Sequence, residues 1–359
     1  MPHKTHDWQI SCLVFFCLLP SGYGGVNGSF PNQFHDRNGD NIFGFEPKML
    51  FIFGDSYVDT GNNPITFANS WRFPYGITFP NKPTGRYSDG RVSSYYLAKY
   101  LGLRSPIPYR WRRYEPKQLE YGMNFAYGGA GVFETIYKVA NTTLQIENFR
   151  NLVHENVYSA ADLLSSVALF SIAGNDYFTY LTLNNVTQQG IETFTRRIIN
   201  QMILDITTVQ NLGVRKVAIA AMQPLGCLPV ASTATGKSGF RWCNETYNVI
   251  AKFHNTLLSQ ALIKLNQEKN DTVFIMLDIY KAFWTVLKNK GVRGISSFPN
   301  PLERCCVTTK KGYKCGEVDK RGVRTFELCK DPKSFFFWDD LHPSQQGWRS
   351  IYSVLLPDL

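Results

Sequence analysis

No run of this 359-residue sequence reaches the roughly 20 consecutive apolar residues that a helix needs to cross a bilayer. No two cysteines stand in C-x-x-C spacing, which removes the paired pattern of a structural zinc site. There is no internal repeat, and no linker that would separate one domain from another. Charged residues are sparse at 18% against 44% apolar, and no tract has the composition of a disordered segment. The chain can therefore bury a sizeable core, and length alone fits one large domain or a pair of modest ones.

What is present points to export. Lys4 precedes a short apolar run at residues 10–19, Pro20 breaks it, and Gly22-Tyr23-Gly24 supplies small residues suited to a signal peptidase. This reads as a cleaved signal over residues 1–24, with Asp7 an untypical charge just before the run. Cys12 and Cys17 would leave with it. Cys227, Cys243, Cys305, Cys306, Cys315 and Cys329 remain, an even set suited to disulfides in an oxidising compartment. Asn27, Asn141, Asn185, Asn244 and Asn270 each open an N-x-S/T sequon. The net charge is +10, with basic clusters at 104–117 and 310–324. Trp111 among Arg110, Arg112 and Arg113 raises nucleic-acid binding. Solvated loops, or weak attraction to an acidic extracellular polymer, suit a secreted chain better, so no nucleic-acid partner is expected.

Residues 25–46, rich in Gly, Asn and Asp, read as a flexible lead-in, and a single domain is expected over 47–359. Continuous apolar runs at 49–53, 123–126, 168–173, 217–221 and 273–277 have the look of strands buried on both faces. Helical patterns lie between them. Phe194, Ile198, Met202 and Ile206 share one face within 191–212, and Tyr247, Ile250, Phe253, Leu257, Ala261 and Leu265 mark another helix. A short helix is expected from Ser344. Strands alternating with helices imply a doubly wound α/β fold with a central, mainly parallel five-stranded sheet. Ligands bind such sheets outside the carboxyl ends of the strands. There the sequence places Gly54-Asp55-Ser56, Gly128-Gly129 and Gly174-Asn175-Asp176.

Those residues could carry acyl transfer, which needs a nucleophile, a base, a group that orients the base, and oxyanion donors. Ser56 is the nucleophile on this reading; the alternative is a plain turn capped by Asp55 or Ser56. Elimination finds the base. His3 and His6 leave with the signal, His35 lies in the lead-in, and His154 and His254 sit within helical patterns. His342 remains, in a turn-prone stretch, with Asp339 three residues earlier to orient it and Asp340 as a competitor. Oxyanion donors would be the Ser56 N–H, the Gly129 N–H and the Asn175 amide. Tyr57, Trp71, Phe73 and Tyr75 near this rim either line an acyl pocket or belong to the core.

Here the chain resembles the plant GDSL esterase/lipases of the SGNH hydrolase superfamily. The resemblance rests on residues 51–63 (FIFGDSYVDTGNN), 124–131 (NFAYGGAG), 174–176 (GND) and 337–343 (FWDDLHP), in family order across nearly the whole mature chain. It implies a three-layer α/β/α flavodoxin-like fold and ester hydrolysis without metal or organic cofactor. Ser56 matches the family's nucleophile and first oxyanion donor, Gly129 or its neighbour Gly128 the oxyanion glycine, Asn175 the oxyanion asparagine, and Asp339 with His342 the D-x-x-H pair. Tyr57 stands where leucine is usual and is expected to narrow the acyl pocket; Ala173 stands where glycine is usual. No G-x-S-x-G surrounds Ser56, which argues against an α/β-hydrolase elbow. The run 128–131 is not G-x-G-x-x-G, so no dinucleotide site is expected. An acyltransferase sharing the same acyl-enzyme step, and a binding protein that has lost catalysis, are the alternatives. The expected partner is an acyl ester, with long-chain lipid, short-chain acetyl ester and cell-wall polymer ester all open, as is the oligomeric state.

Overall fold

The computed structural model describes residues 42–172, 174–184, 187–235, 240–289 and 297–356. The expected signal, most of the lead-in, Ala173 and the sequon residues Asn27 and Asn185 lie outside the described residues. The end of the lead-in, residues 42–46, is packed on the domain instead of hanging free of it. Phe43 is buried in the main core, and the Arg215 guanidinium lies 4.1 Å from the centre of the Phe45 ring.

Five strands form the central sheet: β1 (Met49–Gly54), β2 (Gly122–Asn124), β3 (Ser166–Ser171), β4 (Lys216–Ala220) and β5 (Phe274–Leu277). Their order is β2-β1-β3-β4-β5 and every pairing is parallel, with Phe51 opposite Met123 on one side and Ala168 on the other. All six residues of β1 are buried, as expected for a strand covered on both faces. Its side chains alternate. Phe53 stacks between Phe125 and Phe170, with ring centres 5.2 and 4.8 Å away. Cutting such a side chain to alanine costs about 3–5 kcal/mol.

The α-helices are α1 (Ser93–Tyr100), α2 (Thr142–His154), α3 (Ala160–Leu164), α4 (Gly174–Leu183), α5 (Gln188–Asn211), α6 (Glu245–Lys269), α7 (Ile279–Lys288) and α8 (Gln345–Leu355). Two groups, α2 with α5 and α6, and α1 with α7 and α8, pack among themselves with the sheet between them, giving three layers. In α5 the expected face is the buried one, through Ile198, Met202 and Ile206. In α6 it differs by one position: Ile250, His254, Leu258 and Leu262 face inward, while Phe253, Leu257, Ala261 and Leu265 are only half-buried. The helix buries a wide face, and its edge turns toward α5 instead of the sheet. Ser344 caps α8 by accepting from the Gly347 N–H. All six described cysteines are paired, as Cys227–Cys243, Cys305–Cys329 and Cys306–Cys315. Among the described residues no helix is long and apolar enough to cross a membrane.

Candidate active site

The strand order puts the turn after β1 between the loops after β2 and β3. Ser56 therefore lies between Gly129 and Asn175. Its turn is a single one: Asp55 O accepts from Val58 and Asp59, and Asp55 Oδ1 accepts from the Tyr57 N–H at 3.0 Å. Asp55 thus does cap a turn, but no α-helix follows until α1. Gln145 of α2 reaches both the N–H and the carbonyl of Gly54, at 2.8 and 2.9 Å, and fixes the strand end beneath the serine.

Beyond Ser56 the polar stretch 59–63 is buried and braces the neighbouring loop. Asp59 accepts from the backbone N–H of Gly61, Asn62 and Gly128, at 2.7, 2.8 and 2.9 Å. Asn62 donates to the carbonyls of Asn124 and Ala126, and Asn63 to that of Gly128. The two glycines differ in this respect. The Gly128 N–H is committed to Asp59, whereas the Gly129 N–H and the Ser56 N–H have no partner among the described residues. Gly129 has φ +89°, a conformation that favours glycine, and a Cβ there would lie 2.9 Å from Tyr137 Cβ. On the other flank, Asn175 donates one amide hydrogen to Ala130 O at 2.8 Å, and Asp176 accepts from Val132 and Phe133, both at 2.9 Å.

His342 comes from the opposite end of the chain. Residues 335–344 double back on themselves, with Trp338 N–H donating to His342 O at 2.8 Å and Ser344 N–H to Phe336 O at 2.8 Å. Asp339 Oδ1 accepts from the N–H groups of Leu341 and His342, so the carboxylate shapes the turn that presents its partner. Asp339 also lies 2.8 and 2.9 Å from His342 Nδ1, and Ser56 Oγ lies 2.8 Å from Nε2. Burial pushes the Asp339 carboxyl up, but His342, the Leu341 N–H and the Tyr75 hydroxyl outweigh it and leave it below the usual carboxylate range. An ionised Asp339 can only accept, so Nδ1 carries the proton and Nε2 is free to accept from the Ser56 hydroxyl. Asp340, the sequence competitor, turns away to Arg304 at 3.0 Å.

Neither of the other two described histidines reaches this centre. His154 is exposed at the end of α2. His254 is buried against Tyr177, and its burial lowers its pKa to about 3, so it stays neutral. His35 lies outside the described residues. The rim aromatics divide. Tyr57 is core: its ring meets His342 and Trp348 edge-on, and its hydroxyl donates to Leu341 O at 2.9 Å, so it props the histidine loop. Tyr75 is buried, Trp71 is half-buried with its indole N–H on Asn63 O, and Phe73 is exposed. No sequence pattern singles out Tyr87, yet its ring lies 5.0 Å from that of His342 at 30°.

A serine, a histidine and an aspartate joined in one hydrogen-bond chain, beside two N–H groups unpaired among the described residues, occur here on the four sequence blocks named above. The GDSL-like lipase/acylhydrolase family model matches residues 50–354. The chain belongs to that family. GDSL esterase/lipase At2g36325 of Arabidopsis thaliana is 51% identical over 99% of this GDSL chain and 98% of its own length. GDSL esterase/lipase At5g03610 from the same plant is 48% identical over 97% and 96% respectively. GDSL esterase/lipase 5, also from Arabidopsis thaliana, is 30% identical over 98% and 92%.

Proposed function

We propose that this chain is a secreted serine carboxylic-ester hydrolase working through an acyl-enzyme. Ser56 Oγ attacks the acyl carbon of an ester while His342 Nε2 takes its proton, and ionised Asp339 stabilises the imidazolium that forms. The Ser56 N–H, the Gly129 N–H and the free amide hydrogen of Asn175 receive the oxyanion. Collapse expels the alcohol, which takes the proton from His342 and leaves the acyl group on Ser56. Water then attacks, gives its proton to His342, and releases the acid as Ser56 Oγ is reprotonated.

One observation carries this reading: the Ser56–His342–Asp339 chain, with Oγ to Nε2 and Nδ1 to Oδ1 both at 2.8 Å, assembled from opposite ends of the sequence. Three disulfides support passage through an oxidising compartment. So do the sequons: Asn270 is exposed at the end of α6, and Asn141 and Asn244 cap helices through their side-chain oxygen, leaving the amide nitrogen for a glycan.

The test is hydrolysis of a p-nitrophenyl ester series, acetate through palmitate, by wild type and Ser56→Ala. Turnover should fall by roughly 10³-fold or more in the variant, with folding intact by circular dichroism. Undiminished turnover in Ser56→Ala, or none from folded wild type on any ester, overturns the proposal.

A further inference from the structure

The two oxygens of the Asp339 carboxylate are not held alike. Oδ1 accepts from two backbone N–H groups of its own turn, those of Leu341 and His342, and from His342 Nδ1. Oδ2 is 2.9 Å from the same Nδ1 and accepts from one other group among the described residues, the hydroxyl of Tyr75 at 2.8 Å. Tyr75 is 264 residues away in sequence, and Asp339 is that hydroxyl's one partner among the described residues.

The tyrosine is itself clamped. Its ring is buried and meets Tyr87 and Trp338 edge-on, with ring centres 6.2 and 6.1 Å away. It packs in a small second core with Cys305, Cys306, Cys315 and Phe326, the segment tied by two disulfides. Gly316 passes so near that a Cβ there would sit 3.4 Å from the Tyr75 ring. The phenol therefore cannot swing away without moving a cross-linked loop.

We propose that Tyr75 is a positioning residue for the acyl-transfer step, its O–H fixing the plane and charge of the Asp339 carboxylate that orients His342. The proposal rests on the serine-hydrolase reading above. During acylation the proton passes from Ser56 Oγ to His342 Nε2, and the Tyr75 proton stays on its oxygen. Burial and the neighbouring Asp339 charge make that phenol harder to ionise. Without this donor, Oδ2 would face the interior with only the imidazole to balance it. The Asp339–His342 couple would then hold its proton to higher pH, and the free base would appear later in a titration. The other ionisable groups facing the couple are Asp55, Tyr57, Tyr87 and the Asp340–Arg304 pair, and Tyr75→Phe leaves all of them in place.

The experiment compares wild type, Tyr75→Phe and Tyr75→Leu in the full chain. Two rates are followed against pH: labelling by a fluorophosphonate, which needs no natural substrate, and turnover of p-nitrophenyl acetate. Tyr75→Phe keeps the ring and its packing, so its melting temperature should stay well above the assay temperature. Its plateau kcat should nonetheless fall about ten-fold, with KM unchanged and the acid limb of both profiles moved to higher pH. A structural role predicts the reverse pattern, with Tyr75→Phe like wild type and only Tyr75→Leu impaired. An unmoved acid limb and a plateau within about two-fold of wild type in Tyr75→Phe overturn the proposal. Failure of folded wild type to label at Ser56 removes the serine-hydrolase reading instead, and the proposal with it.

Discussion

The two halves of the site are built differently. The Ser56 half hangs from strand ends. Its positions follow from the sheet order, and its loops are tied by buried hydrogen bonds between backbone groups and the side chains of Asp59, Asn62, Asn63, Gln145 and Asp176. The Asp339–His342 half hangs from no strand of the sheet. It is a doubled-back loop, propped by Tyr57 and Tyr75 and lying against a small core that two disulfides hold together. The sheet can fix a nucleophile and oxyanion donors because parallel strands share one rim. A base that must approach from the far side has no such frame, and aromatic contacts and covalent ties replace it.

This contrast can be broken at several points. His342→Ala should match Ser56→Ala, a loss of roughly 10³-fold or more in kcat, and the double variant should be no worse than either single one. Additive losses, measured on a p-nitrophenyl ester, would mean that the halves do not act as a unit. Next in size is Gly129→Ala. The positive φ and the contact with Tyr137 would force the backbone to shift, moving the oxyanion N–H and lowering kcat about 10²-fold with KM nearly constant. An unchanged kcat would move the donor role elsewhere on the rim.

Replacing Cys306 and Cys315 together by alanine loosens only the second half. Activity should drop about ten-fold, since a base misplaced by a fraction of an ångström is costly, while far-UV circular dichroism keeps its α/β signature. Equal loss of the sheet signal would show the two halves to be one folding unit.

The last prediction concerns stability against pH, where no catalytic rate is read. Burial pushes the Asp55 carboxyl up to about 7, against the N–H of Tyr57 and the charge of His342, which lower it. The folded state therefore holds the proton more tightly than the unfolded chain. Stability should decline as pH rises from the ordinary carboxylate range toward 7, by up to about 4 kcal/mol. Asp55→Asn should flatten that decline in denaturant melts across pH. An unaltered slope would assign the charge cost to Asp59 or Asp176, whose carboxyls burial also raises, each to about 6.

Legibility differs between the halves for the same reason. The apolar runs mark the five strands to within a few residues, and glycines at strand ends mark the rim. Asp339 and His342 are legible because they are three residues apart, and a local turn can join them. The 59–63 brace has only a faint local sign: five largely polar residues after a buried strand, where a helix is more usual. The motif position of Tyr57 suggests pocket lining, whereas its hydroxyl finds a carbonyl on the histidine loop. The stripe of α6 lies one position from the expected one, since periodicity reports that a helix has an apolar face but not how wide a face its neighbours will cover.

The sequence by itself determined the layer architecture and singled out Ser56, His342 and Asp339 as candidates, because both follow from short-range pattern: residue alternation, strand-end glycines and i to i+3 spacing. Only the tertiary structure decided which glycine keeps a free N–H, which aspartate faces the histidine, and that Tyr75 stands behind it. Each of those depends on which groups meet across long stretches of chain, as in Asp59 to Gly128 and Tyr75 to Asp339, separated by 69 and 264 residues. Competition for a buried hydrogen-bond partner is settled by packing, and no local pattern records its outcome.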